Sequence, residues 1–279
     1  MLCSRSLRAV SSLIALAMGA ALATTSVAAE AETVQARYTI HLVGLRIGEV
    51  TASGDLEPAS YKVDLNARFT GIAAWIANIR FALASSGAIR KTAILPSAYA
   101  MTSVNPRETR TIRMGLDAGS VKAVEVAPPL DDADRRIPVS AAAKHNVLDP
   151  TSALIMSVPP GESAVGPAAC NRTIPVYDGV VRFDLTMSYV ETRNVAIKGY
   201  SGPVSVCAVR YTPIAGHMAD SKSTKFMAEN REIETWLAPI EPAHVVIPFR
   251  VGLRTQAGYA EVQAVELAIS SDRTAKTEH

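Results

Sequence analysis

Charge of one sign is scarce in this chain: 28 Lys and Arg stand against 26 Asp and Glu in 279 residues, a formal charge of +2. Binding to nucleic acid or another polyanion draws on a surplus of basic side chains, so the composition argues against that class. Long apolar runs are scarce as well. The one extended run, Ala9 to Ala23, has 15 residues, short of the ~20 a helix needs to cross a bilayer, so no stable membrane span is expected. Cysteine is limited to three residues. Local catalytic signatures are missing: there is no Gly-x-Ser-x-Gly elbow, His-Glu-x-x-His helix, phosphate-cradling loop or Gly-x-Gly-x-x-Gly turn, which disfavours the enzyme classes that carry them. Sites that converge only in space, such as a Ser-His-Asp set, escape that search. What is present is globular: 48% hydrophobic residues with 16 Gly and 16 Pro, enough to bury a core.

The N-terminus reads as an export signal. Arg5 and Arg8 precede the apolar run, and Val27, Ala28 and Ala29 supply the short side chains that a signal peptidase needs, with cleavage placed after Ala29. Cys3 lies before the run, whereas a lipoprotein cysteine would follow it. Residues 30–279 then form an exported, periplasmic chain, formally neutral with 26 basic and 26 acidic residues. Cys170 and Cys207 remain as an even pair in a compartment that permits oxidation, and they are expected to form a disulfide. No Cys-x-x-Cys spacing supports a redox or metal role.

Hydrophobic periodicity predicts strands. Tyr61, Val63, Leu65, Ala67 and Phe69 alternate with Lys62, Asp64, Asn66 and Arg68, the pattern of a half-buried antiparallel strand. Tyr38, Ile40 and Leu42 alternate similarly, and the stretch Gly44 to Gly48 is read as the turn into a second strand through Val50 and Ala52. Further strands are predicted at Ile79–Ile89, Ala98–Val104, Glu108–Leu116 and Val121–Val126, separated by regular turn signals. After the mixed stretch from Pro128 to Lys144, Asp149 as N-cap with Pro150 behind it predicts a short helix over 150–158. A second helical turn is expected near 72–78. Asp178-Gly179 marks a tight hairpin. Later strands are predicted at Val204–Thr212, Glu232–Leu237, Val245–Val251 and Tyr259–Ile269, the last with a bulge where the apolar phase slips between Ala264 and Val265. The expected fold is all-β: one domain of antiparallel strands forming a curved sheet or open barrel, with room for two halves meeting near 128–170.

Several of these segments carry a family resemblance: Tyr38 to Val50 with its Gly-Leu-Arg-Ile-Gly-Glu core, Leu148-Asp149-Pro150, Val176-Tyr177-Asp178-Gly179, Cys207-Ala208-Val209-Arg210-Tyr211 and Trp236-Leu237-Ala238-Pro239. The chain resembles the domain-of-unknown-function 3108 family over nearly all of residues 30–279. The resemblance implies an exported, β-rich envelope protein of Gram-negative bacteria and transfers no activity.

Residues capable of chemistry are read mostly as ordinary surface. His217 with Asp220, and His145 with Asp149, give two ligands each where zinc needs three or four, so no metal is expected, and no cofactor. Arg107, Arg110 and Arg113 cannot form one stripe on a strand, since Arg110 faces opposite to the others. Asp131, Asp132 and Asp134 lack a calcium-loop pattern and read as an acidic turn beside Arg135 and Arg136. The uncharged run around Trp75 is the best hint of binding: Ile72, Trp75 and Ile76, with Leu154 from the second helical segment, are candidates for a lid or lining over a curved sheet. Two functions compete: a non-enzymatic periplasmic module that binds or carries an apolar, lipid-like envelope molecule, and a structural protein with no cavity that docks an envelope protein partner. A cavity lined from both ends of the chain favours the first; a solid core with an uncovered edge favours the second. A hydrolase needs His145 or His217 within reach of both a carboxylate and a hydroxyl.

Overall fold

The computed structural model describes residues 31–71, 78–90, 93–241 and 243–271. The proposed leader, and the run holding Ile72, Trp75 and Ile76, lie outside the described residues.

The alternating segments fold as two antiparallel meanders. The first comprises β1 (Glu32–Leu42), β2 (Leu45–Leu56), β3 (Ser60–Phe69), β4 (Arg80–Arg90), β5 (Ala93–Val104), β6 (Thr109–Asp117) and β7 (Ser120–Ala127). The second holds β9 (Arg172–Tyr177), β10 (Arg182–Ile197), β11 (Tyr200–Ala215), β12 (Ile233–Ile240), β13 (Val245–Thr255) and β14 (Gly258–Ser271). The chain ends pair with each other, β1 against β14, so both meanders join in one sheet of order β7-β6-β5-β4-β3-β2-β1-β14-β13-β12-β11-β10-β9. The short β8 (Met156–Ser157) pairs with β13, making fourteen strands.

Among the described residues the sheet does not close into a barrel; its edge strands β7 and β9 do not pair with each other. The segment that crosses from β7 to β8, residues 128–155, spans the gap instead. Val147 N–H donates to Gly119 O beyond β6, and Leu148 exchanges bonds with Pro175 and Tyr177 of β9. Tyr177 and Val147 also pack with Tyr99, Ile112, Met114 and Leu116 of β5 and β6, a small core that draws the two edges together.

The predicted bulge is present: Arg37 pairs with Glu266 but Tyr38 with Ala264, so Val265 is extruded. Other local expectations need correction. The first hairpin turns at Val43–Gly44, because Leu42 already pairs with Leu45. Gly48 lies inside β2, where an added Cβ would stand 2.7 Å from Arg68 O; it is a close-approach glycine and not a turn residue. The Asp178-Gly179 connection is a four-residue loop, since Arg182 pairs with Tyr177, and the Asp178 carboxylate accepts from Val180 and Val181 N–H at 2.8 and 2.6 Å. The helix expected over 150–158 is one 3-10 turn, Ser152–Leu154, followed by β8. Its first residues bond to Asp149 as foreseen, but the chain is then captured by β13. Two helices were not anticipated, α1 (Pro167–Cys170) and α2 (Lys222–Glu229). The second is capped by Ser221, whose hydroxyl accepts from Thr224 N–H at 3.1 Å.

Two cores flank β11 to β13. Ala238, Ile240, Val245 and Phe249 pack toward β1, β2, β3 and β14. Ile233, Leu237 and Val246 pack the other way, onto β9, β10 and α1. Strands buried on both faces read as continuous apolar runs, which is why Trp236 to Ile240 and Val245 to Ile247 do not alternate.

An apolar groove between the two ends of the chain

The inward faces of β1, β2, β3, β13 and β14 pack together over part of their length, in the core that holds Val63, Phe249 and Leu267, and over the rest they pack against nothing. They leave a cavity of about 290 Å³, near the lower limit of ligand-sized pockets. Val34 and Tyr38 line it from the start of the chain, Leu65 from β3, and Ile247, Val251 and Val262 from the end. The period of two places these side chains on one face. Leu154 and Ile155 close the groove from the crossing segment. Of the lid candidates, Leu154 is therefore placed at the groove, while Ile72, Trp75 and Ile76 lie outside the described residues.

The groove's polar groups are nearly all satisfied. Tyr38 Oη donates to Pro248 O at 2.8 Å, and burial pushes this phenol up to about 12, so it stays neutral. Arg250 brings the one charged side chain of the lining among the described residues. Glu261 and Glu234 bind its guanidinium at 2.5 and 3.1 Å, and it stacks on Trp236 at 4.7 Å from the ring centroid. Arg193 covers Trp236 as well, at 5.0 Å. With its arginine neutralised, the groove suits an uncharged apolar body better than an anion.

A buried polar knot seats Leu154 and Ile155. Asp149 is fully buried; its Oδ1 accepts from Thr151 and Ser152 N–H at 3.0 and 2.9 Å. Its Oδ2 accepts from Ser152 Oγ at 2.5 Å and Ser85 Oγ at 2.9 Å. Ser152 also meets Tyr61 Oη at 2.6 Å, so the knot ties the crossing segment to β3 and β4. Burial raises the Asp149 carboxyl above the ordinary carboxylate range despite these bonds, and pushes Tyr61 up to about 12. Ser85 and Tyr61 sit on strands distant in sequence from Asp149, and no local pattern links them. The cap signal at Asp149 was the one visible part.

On the far side of β11, Cys170 and Cys207 are joined in a disulfide, as expected, with Cα atoms 5.5 Å apart. Both cysteines are fully buried, and the bond fixes α1 to β11. The other candidate clusters separate. His145 Nδ1 lies 3.0 Å from Ser120 Oγ, away from Asp149, whose carboxylate is committed to the knot. His217 has no carboxylate partner among the described residues, and its Nδ1 is buried without one of any kind. Arg110 pairs with Glu108 at 2.8 Å and Arg113 with Glu125 at 3.8 Å, on opposite faces of β6. Arg136 grips Asp132 through two bonds of 2.8 and 3.0 Å. Among the described residues, no group of three or more His, Cys, Asp or Glu is placed to hold a metal.

Comparison with known proteins gives a family. A solved structure described as a β-barrel-like protein of domain of unknown function DUF1849 from Brucella abortus is similar to 88% of this chain and 100% of its own. The two share 11% identity, with a TM-score of 0.47. No curated protein matches the sequence. Residues 37–265, from within β1 to within β14, match the family described as Protein of unknown function (DUF3108), and the chain belongs to that family.

Proposed function

We propose that the protein is an exported, non-enzymatic binding module that holds an apolar or amphiphilic envelope molecule in the groove between its two chain ends. The observation that carries this reading is the void itself. The described residues leave a half-open groove of about 290 Å³ between largely aliphatic walls, and concave, mostly apolar sites are where small ligands bind. The walls come from β1 to β3 and from β13 and β14, the two-ended lining that distinguishes a container from a docking protein with a solid core. Periplasmic residence is part of the proposal; the leader-like N-terminus and the buried disulfide support it.

Native mass spectrometry of the protein recovered from its own envelope tests the reading. A reproducible added mass, released by organic extraction and identified as an apolar or amphiphilic compound, is the expected result. Protein that is uniformly empty, and that also fails to take up such compounds from an envelope lipid extract, contradicts it.

A further inference from the structure

Among the described residues, eight large apolar side chains are exposed, and five of them belong to one end of the sheet. They are Val43 and Leu45 at the tip of the β1–β2 hairpin, Tyr259 at the start of β14, Phe81 near the start of β4 and Val104 at the end of β5. Those strand ends follow one another in the order β5-β4-β3-β2-β1-β14, so the side chains are strung along a common rim. The outermost, Val43 and Leu45, are 65% and 72% exposed. Val43 N–H donates to Tyr259 O at 2.8 Å, which ties the two hairpin tips together.

Val43 is the informative residue. It is the first central residue of the two-residue turn, with φ 51, followed by Gly44 with φ 77. A β-branched residue is strained in this left-handed region, and Asn is what such a turn prefers. The tip therefore carries a side chain unsuited both to its backbone and to water. Most of its surface is open, so packing inside the chain does not explain it.

The charges behind the tip have one sign in excess. Arg46 and Arg68, with side chains 54% and 65% exposed, share a single carboxylate, Glu49. Arg80 and Arg107 are exposed, and neither has a carboxylate partner among the described residues. Arg254 pairs with Glu232 at 3.6 Å. The register sets Glu49, Arg68, Arg80 and Val104 level with one another, behind Val43 and Leu45 at the tip, and apolar groups ahead of cations match the layering of a leaflet, hydrocarbon beneath anionic headgroups.

We propose that this rim docks on an anionic lipid surface, with Val43 and Leu45 entering the acyl region and Arg46, Arg68, Arg80 and Arg107 meeting lipid phosphates. The docking does not depend on the groove being a binding site. Flotation with vesicles of equal parts phosphatidylethanolamine and phosphatidylglycerol tests it, against phosphatidylcholine vesicles as the neutral control. Wild-type protein floats with the anionic vesicles only, and less so as salt rises. The double variant Val43→Asn/Leu45→Ser binds about tenfold less or weaker still. Its melting temperature holds or rises by about 2–4 °C, because Asn relieves the turn. Arg80→Gln/Arg107→Gln weakens flotation at low salt. The groove variant Ala52→Phe floats like wild type, which separates this proposal from the reading of the groove. Wild-type protein left in the soluble fraction, or rim variants that float as well as wild type, overturn it. A concentration-dependent dimer that is lost in Val43→Asn/Leu45→Ser, without flotation, assigns the rim to a second copy and overturns it equally.

Discussion

The two meanders carry similar strands but use their apolar faces differently. In the second, β11 to β13 are packed on both sides, and the core that holds Leu237 and Val246 is stapled by the Cys170–Cys207 disulfide. In the first, β1 to β3 bury Val34, Ala36 and Val63, yet the same face also borders the void opposite β13 and β14. One region is filled and cross-linked; the other is walled and left open. The contrast teaches that the filled, disulfide-linked core lies behind β13, on the side away from the groove that β13 lines.

The largest effect expected from this contrast is loss of the staple. Cys170→Ser/Cys207→Ser opens a link across a sequence separation of 37 residues and should cost about 4 kcal/mol in denaturant titration. Dye binding in the groove should weaken with it, since the core behind β13 loosens. Filling experiments sharpen the comparison further. Ala169, fully buried beside the disulfide, has no room, so Ala169→Phe should destabilise by about 3 kcal/mol. Ala52 borders the groove, so Ala52→Phe should cost under about 1 kcal/mol while reducing ligand affinity about tenfold. Equal destabilisation by the two substitutions would remove the distinction between the filled and the open region.

The knot beneath Leu154 comes next in size. Asp149→Ala leaves two buried N–H groups and two hydroxyls without their acceptor and should cost about 2–3 kcal/mol, read from the denaturation midpoint. Asp149→Asn keeps an acceptor for the N–H groups and should cost less. The smallest effect is on pH dependence. Burial raises Asp149 and Asp178 above their unfolded values, so their contribution is fully present below about pH 4 and is lost as pH rises through the raised values. Asp149→Asn should therefore flatten the fall in stability that sets in above about pH 4. Glu49 and Glu266, held low by Arg68 and Lys198, contribute with the opposite sign in both proteins and cancel in the comparison. Parallel profiles for wild type and variant would show that Asp149 carries no such cost.

Much of the sheet was legible because alternation is a local property. Tyr61 to Phe69 announces which side chains turn inward, and the phase slip at Val265 locates a bulge to the residue. Turns were legible only where residue type matches backbone. The first hairpin was legible but its turn was not: Val43 at positive φ hides it, and the glycines point to Gly44–Gly48 instead. The Cys170–Cys207 pairing was legible from number, as the two cysteines that remain once the leader-like N-terminus is set aside. The groove was not legible. Its walls are contiguous only because β1 pairs with β14, a contact between residues more than two hundred positions apart, and periodicity carries no information about which faces oppose each other. The same holds for Asp149, whose partners Ser85 and Tyr61 arrive from β4 and β3.

The central claim, that the space between the chain ends is an open apolar site, is tested most directly by titrating wild type and Ala52→Phe with an environment-sensitive apolar dye such as N-phenyl-1-naphthylamine. The account predicts saturable binding of one dye per chain with a blue-shifted emission, weakened about tenfold by Ala52→Phe in a protein of near-unchanged melting temperature. Absence of saturable binding to wild type, or identical binding curves for the two proteins, would contradict it.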